Sequence, residues 1–209
     1  KKNKAVLYVN VGDYKNVWDE LIRDIPQMGE LATEHFDNWK DTKAFAAKAL
    51  SASQINNSDV VTDNNRDDNS KNITADNSSE DTSDNITGIH GFYHKNIFEA
   101  VYCTNLLMRS ADVLVTKPSE LAFYPVPKLF IKRVGGHEQW GAVHSAEIGD
   151  GTLECRDIPH TLQMIKLFME DDTYITDMCE NIKKNKQMGI YNGAYEAVKL
   201  AVNMKKSDI

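Results

Sequence analysis

The sequence predicts an α/β fold: a Rossmann-like parallel sheet with helices on both faces, followed by a C-terminal helical segment. Three observations predict it. The chain opens as strand, turn and helix. KAVLYVNV at 4–11 alternates and is rich in Val, Leu and Tyr, Gly12-Asp13 ends it, and Val17, Trp18, Leu21, Ile22 and Ile25 fall at helical spacing. From residue 86 to 155, short apolar runs alternate with helical patterns. The last stretch, 171–205, reads as two helical segments.

The elements follow in order. Pro26 and Gly29 break or kink the first helix. A second helical segment is expected over 30–50, with Leu31, Phe36, Trp39, Phe45, Ala46 and Ala49 as its apolar positions. Residues 51–87 are Asn, Asp and Ser with almost no apolar content. Such a run cannot bury enough surface to offset its ordering entropy, so a disordered insertion is expected. Its N-x-S/T triplets, at Asn56, Asn72, Asn77 and Asn85, are what chance gives in that composition. A strand is expected over 86–92 and a helix over 95–109. Strand 111–115 comes next, then the proline-dense TKPSELAFYPVPKLF at 116–130. Val126–Ile131 reads as a strand, 138–147 as a helix, Gly149-Asp150-Gly151 as a turn and Leu153-Glu154-Cys155 as a last short strand. Asp157 is a candidate N-cap for a helix to 169, with Pro159 in its first turn. Helices over 171–186 and 190–204 close a single domain, 1–209.

Composition excludes several classes. A formal net charge of −7 argues against a sequence-blind nucleic-acid binder, which needs basic surface. No apolar run approaches the roughly 18 residues of a membrane span. Cys103, Cys155 and Cys179 are odd in number, far apart and without metal-ligand spacing, which fits a reducing, cytoplasmic compartment. The chain starts at Lys1 rather than a methionine, read here as the cut end of a longer protein.

In an open parallel sheet, ligands bind beyond the carboxyl ends of the strands. Four such ends carry polar or glycine residues: Asn10–Asp13, His90–Tyr93, Thr116–Glu120 and Arg133–Gln139. At the third, Pro118 suits the first turn of a helix, and Glu120 lies where the dipole favours an anion. Ser119 and Glu120 either cap that helix or serve a ligand: exposed N–H groups for a phosphate, and Glu120 for the two hydroxyls of a ribose. Lys117 adds positive charge or is simply solvated. At the fourth, Gly135-Gly136 allow close backbone approach, and His137, Glu138 and Gln139 either form a polar first turn or meet sugar hydroxyls. His137 and His144 lie about two helical turns apart but lack a supporting carboxylate, so no metal is expected. VNVGDYKN has one glycine where a dinucleotide fingerprint needs three, which disfavours a nicotinamide cofactor.

These motifs, in this order, resemble the C-terminal, donor-binding domain of GT-B-fold glycosyltransferases. The nearest branch contains the lipid II-forming GlcNAc transferase and the monogalactosyldiacylglycerol synthases. Ser110-Ala111-Asp112-Val113-Leu114-Val115-Thr116-Lys117-Pro118 is similar to its strand-and-KP block, and Ser119-Glu120 followed by Pro127 to its SE block. His137-Glu138-Gln139-Trp140-Gly141-Ala142 resembles its helix start, Gly149-Asp150-Gly151 its last turn, and Gly91-Phe92 its GF turn. The Gly-Gly-x-Thr-x step before Ser-Glu is absent here, Pro125 and Gly141 replace a glycine and an asparagine, and the first loop keeps only Gly12.

The resemblance implies a UDP-sugar as donor substrate, no further cofactor and metal-independent transfer. It places the ribose on Glu120, the nucleobase on the backbone at Phe92 and Tyr93, and the sugar on His137 and Glu138. The diphosphate would lie by Gly12 and the helix after Lys117, with Ser119, Gly136 and Gln139 completing the donor site. It also implies an N-terminal acceptor domain outside this chain, a lipid or glycan acceptor, and a membrane periphery reached through that domain. The shortened loop supports an alternative, a catalytically inert nucleotide-sugar-binding or interaction module. A nucleotide-sugar epimerase is a third reading, with Glu138 and Asp13 as its acids.

Overall fold

A computed structural model describes residues 5–25, 33–58 and 86–207. The chain divides into two compact units, Lys1–Ser110 and Ala111–Ile209. Both are α/β with parallel strands, which bears out the coarse fold class. The strands are shared between two small sheets, one in each unit.

The first unit holds β1 (Val6–Asn10), α1 (Lys15–Asp24), β2 (Thr33–Phe36), α2 (Trp39–Ser58), β3 (Gly88–Phe92) and α3 (Ile97–Leu107). Its sheet has the order β1-β3-β2, with Asn10 and Phe36 both paired to Phe92 and all strands parallel. Successive strand residues face opposite sides. Gly91 therefore faces α1, and a Cβ on it would stand 3.0 Å from Leu21 Cδ2 and 3.1 Å from Trp18 Cζ3. Phe92 faces the other way, into a core with Phe45, Ala49, Cys103 and Leu107. Helices thus cover both faces of this sheet.

Two expectations are corrected here. The predicted helix over 30–50 is replaced over 33–36 by strand β2. Phe36 there stacks on Phe92 at 5.0 Å and 11°, a contact that local helix spacing cannot reveal. Asn38 opens α2 instead, its Oδ1 accepting the Asp41 N–H at 3.0 Å while its Nδ2 donates to the Asp41 carboxylate at 2.7 Å. Helix α2 then continues to Ser58, so residues 51–58 of the expected insertion are helical. Ser51 and Ser53 donate back to the Ala47 and Ala49 carbonyls at 3.0 Å, hydrogen-bonding within the helix they were expected to end. Residues 59–85 of that insertion lie outside the described residues, as do Pro26 and Gly29, whereas Ile86 and Thr87 are described and lead into β3.

The second unit holds β4 (Leu114–Thr116), β5 (Lys128–Phe130), α4 (Gln139–Ile148), α5 (Ile158–Glu170), α6 (Thr173–Gln187) and α7 (Gly193–Ser207). β4 and β5 pair in parallel, Leu114 opposite Lys128. Leu129 faces α5 and α6, in a core with Cys155, Phe168 and Met178. Phe130 faces α4, against Ala122 and Ala142. Asp157 caps α5 as expected, accepting the His160 N–H at 2.8 Å, with Pro159 in the first turn. The predicted strand at 153–155 does not form. Residues 151–155 follow β5 through a bridge from Lys128 to Gly151 and the bonds Thr152 N–H to Lys128 O and Cys155 N–H to Phe130 O.

Candidate functional site

The residues expected to bind a donor fall on both units. Gly12, Phe92 and Tyr93 lie at the strand ends of the first unit. Gly12 takes a left-handed φ of 65°, donates to Asn10 Oδ1 at 3.0 Å and accepts from the His94 N–H at 3.0 Å. Asn10 in turn donates to Ala100 O and Thr104 Oγ1, which ties this turn to α3. Phe92 is fully buried. Its carbonyl accepts the Val11 N–H, and the Tyr93 N–H donates to Phe36 O, both at 3.0 Å. Those two backbone groups, expected to meet a nucleobase, are engaged within the sheet. The Tyr93 ring stacks on Trp18 at 5.7 Å, with Lys15 Nζ 5.8 Å from its centre.

The buried histidines lie in this unit. His94 Nε2 is 3.0 Å from Thr42 Oγ1. His90 stands between the Thr87 carbonyl and Glu34, each 3.1 Å from a ring nitrogen. Burial pushes both imidazoles below their usual pKa, outweighing the acidic groups near them.

In the second unit, the loops after β4 and β5 meet. Lys117, just beyond β4, donates to Glu138 Oε1 at 2.5 Å. Glu138 Oε2 accepts the Val134 and Gly135 N–H groups at 2.8 and 3.1 Å. Lys117 and these two N–H donors hold the Glu138 carboxyl down at about 2. Next to it, Glu154 accepts the Arg133 N–H at 2.9 Å and the Arg133 guanidinium at 2.7 Å. Three successive amides, 133 to 135, thus point at the chain's own carboxylates. Such a run of N–H groups is the kind of concavity that otherwise takes a phosphate.

The other expected residues separate by exposure. Glu120, His137 and Gln139 are exposed beside this pair, as is Gly136; Ser119 is half-buried. Two expectations at the Lys117 loop are corrected. Pro118 is buried rather than opening a helix, and Glu120–Phe123 form only a single 3-10 turn. That turn is too short to gather the dipole of a helix N-terminus. Nor does the Ser119 side chain cap it. Gly141 explains part of the compression. A Cβ there would stand 2.8 Å from Pro118 O, so glycine lets α4 press against the loop.

Sequence reasoning missed a buried cluster behind these loops. Lys128 and Asp150 form an ion pair at 2.8 Å, both side chains fully buried. Lys128 also donates to the Tyr124 and Val126 carbonyls, at 2.8 and 3.1 Å. Tyr191 donates to Asp150 Oδ2 at 2.8 Å, and Asn185 donates to Ile148 O at 2.8 Å. Burial lowers the Lys128 pKa against the pull of Asp150, and pushes the Tyr191 hydroxyl up to about 12. The available signal was a lysine inside an apolar strand, followed by an aspartate between two glycines. Among the described residues, no group of three or more His, Cys, Asp or Glu side chains converges as a metal site.

The signature of the DUF6938 family, a domain of unknown function, matches residues 1–77 and 52–202 in two overlapping stretches. The chain belongs to this family. No match was found among curated proteins or among solved structures.

Proposed function

We propose that the chain is the donor-binding part of a glycosyltransferase-like protein, taking a UDP-sugar at the loops that follow β4 and β5. The observation that carries this reading is the Lys117–Glu138 pair. It draws the two loops together at the carboxyl edge of a parallel strand pair and leaves Glu120, His137 and Gln139 exposed beside it. Glu120 accepts from the ribose hydroxyls, and His137 and Gln139 meet the sugar. The N-terminus of α4, preceded by Gly135 and Gly136, faces the diphosphate as it leaves the anomeric carbon. Glu138 acts by holding the loops rather than by touching the sugar. An acceptor and its base come from outside this chain.

The engaged amides at 133–135 support a second reading, the interaction-module form of the inert alternative, which takes no nucleotide sugar, since the chain's own carboxylates stand where a phosphate would. Calorimetric titration of the chain with UDP, UDP-GlcNAc, UDP-glucose and UDP-galactose separates the two. The first reading expects saturable binding that Glu120→Ala weakens by about tenfold or more, the loss of hydrogen bonds to a charged group. No binding by any of the four overturns it in favour of the module. Binding that survives Glu120→Ala overturns the ribose assignment.

A further inference from the structure

The C-terminal segment has a composition unlike the rest of the chain. Between Lys183 and Lys206 there are six lysines and one acidic residue, Glu196, in a protein whose formal net charge is −7. Lys183, Lys184 and Lys186 are exposed on the last turns of α6. Tyr191, half-buried and bonded to Asp150, anchors the connection to the second unit. Beyond it, every residue of α7 whose side chain is described, 193–204, is exposed.

That exposed helix is amphipathic. At 100° per residue, Glu196, Lys199 and Asn203 share one side. Tyr195, Val198, Leu200, Val202 and Met204, together with Ala194, Ala197 and Ala201, occupy most of the remaining circumference, with Lys205 at the helix end on that same arc, and each of the five large side chains is 49–67% exposed. Five large apolar side chains on a single helix are costly to leave in water.

We infer that α7 lies on an anionic lipid surface, with its apolar side in the headgroup region and the lysines against the lipid phosphates. This surface is independent of the nucleotide reading. The charge chooses the occupant. A basic segment with an apolar helix side and a tyrosine is the composition that binds an anionic interface. A second copy of α7 fits less well: about two heptads are too few for a stable helix pair. A nucleic acid would leave the apolar side uncovered. No described helix is long and apolar enough to cross a membrane, so α7 would lie in the surface plane. Lys199 is 3.6 Å from Glu196, an exposed pair that lipid phosphates can replace.

Co-sedimentation of the chain with vesicles tests this. Vesicles of phosphatidylcholine are compared with vesicles carrying about 30 mol% phosphatidylserine. Partitioning should be about tenfold stronger onto the anionic vesicles and should fall as salt rises. The exposed double variant Val198→Asp/Val202→Asp should abolish it with an unchanged circular dichroism spectrum. Lys183→Glu/Lys184→Glu/Lys186→Glu, which leaves the apolar side intact, should reduce it at least tenfold. Equal partitioning onto neutral vesicles, absence of binding, or undiminished binding by either variant overturns the proposal. So does self-association in solution that Val198→Asp/Val202→Asp removes.

Discussion

Replacing Lys128 by methionine keeps most of the side-chain volume and removes the charge. Asp150 is then left fully buried with Tyr191 donating to its Oδ2, while its Oδ1 already has no hydrogen-bond partner among the described residues. The Tyr124 and Val126 carbonyls lose a donor as well. Stranding one member of a buried pair costs about 3–5 kcal/mol. The expected loss is therefore about 4 kcal/mol. Urea unfolding gives the overall loss, and hydrogen exchange across 126–152 assigns it to this unit. A loss below about 1 kcal/mol refutes the reasoning.

Three further outcomes are expected. The Glu138 carboxyl is depressed from 4.5 to about 2, so its contribution is complete above 4.5 and is lost as pH falls toward 2; in a thermal melting series, Glu138→Gln should flatten the slope in that window. His94 is buried and held neutral, its pKa below 6.5, so the unfolded chain binds the proton first and stability falls as pH drops below 6.5. His94→Gln, which can still bond Thr42, should lessen that fall, as read by near-ultraviolet dichroism of the first unit. Gly141→Ala places a methyl 2.8 Å from the Pro118 carbonyl and should cost about 1–3 kcal/mol in urea titrations.

What could be read from the sequence was what local patterns encode. β1 alternates, α1 has helical spacing, and Asp157 with Pro159 marks the start of α5; each follows from residues within one turn or one strand. Gly149 ended α4 as its turn position predicted, in the left-handed conformation at φ 73°. β2 was lost because its four residues have no period of their own; Phe36 becomes a strand residue only by stacking on Phe92, far along the chain. Lys128 was passed over for the same reason. A lysine in an apolar strand looks like an edge residue until Asp150 and Tyr191 are brought to it from distant positions. Composition misled at 51–58, where α2 continues into a polar run and Ser51 and Ser53 bond back to carbonyls of the same helix.

The same distinction bears on the proposed site. Lys117 and Glu138 are conspicuous by type, yet their charges are used on each other and on two backbone amides. Glu120 has a less conspicuous setting and is exposed. The two carboxylates should therefore part company on substitution. Glu120→Ala should leave melting within about 0.5 kcal/mol of wild type, as surface changes do, while altering any response to a UDP-sugar. Glu138→Ala should lower melting first, because Lys117 and the Val134 and Gly135 amides lose their shared acceptor, and any binding loss would follow from the loosened loops. A partial return of stability with Glu138→Gln, whose single amide oxygen can still accept from Val134 and Gly135 but not from Lys117 as well, would mark the role as positional. If instead Glu138→Gln melts like wild type and removes nucleotide binding outright, Glu138 touches the ligand, and the division of labour between the two carboxylates is the reverse of the one argued here.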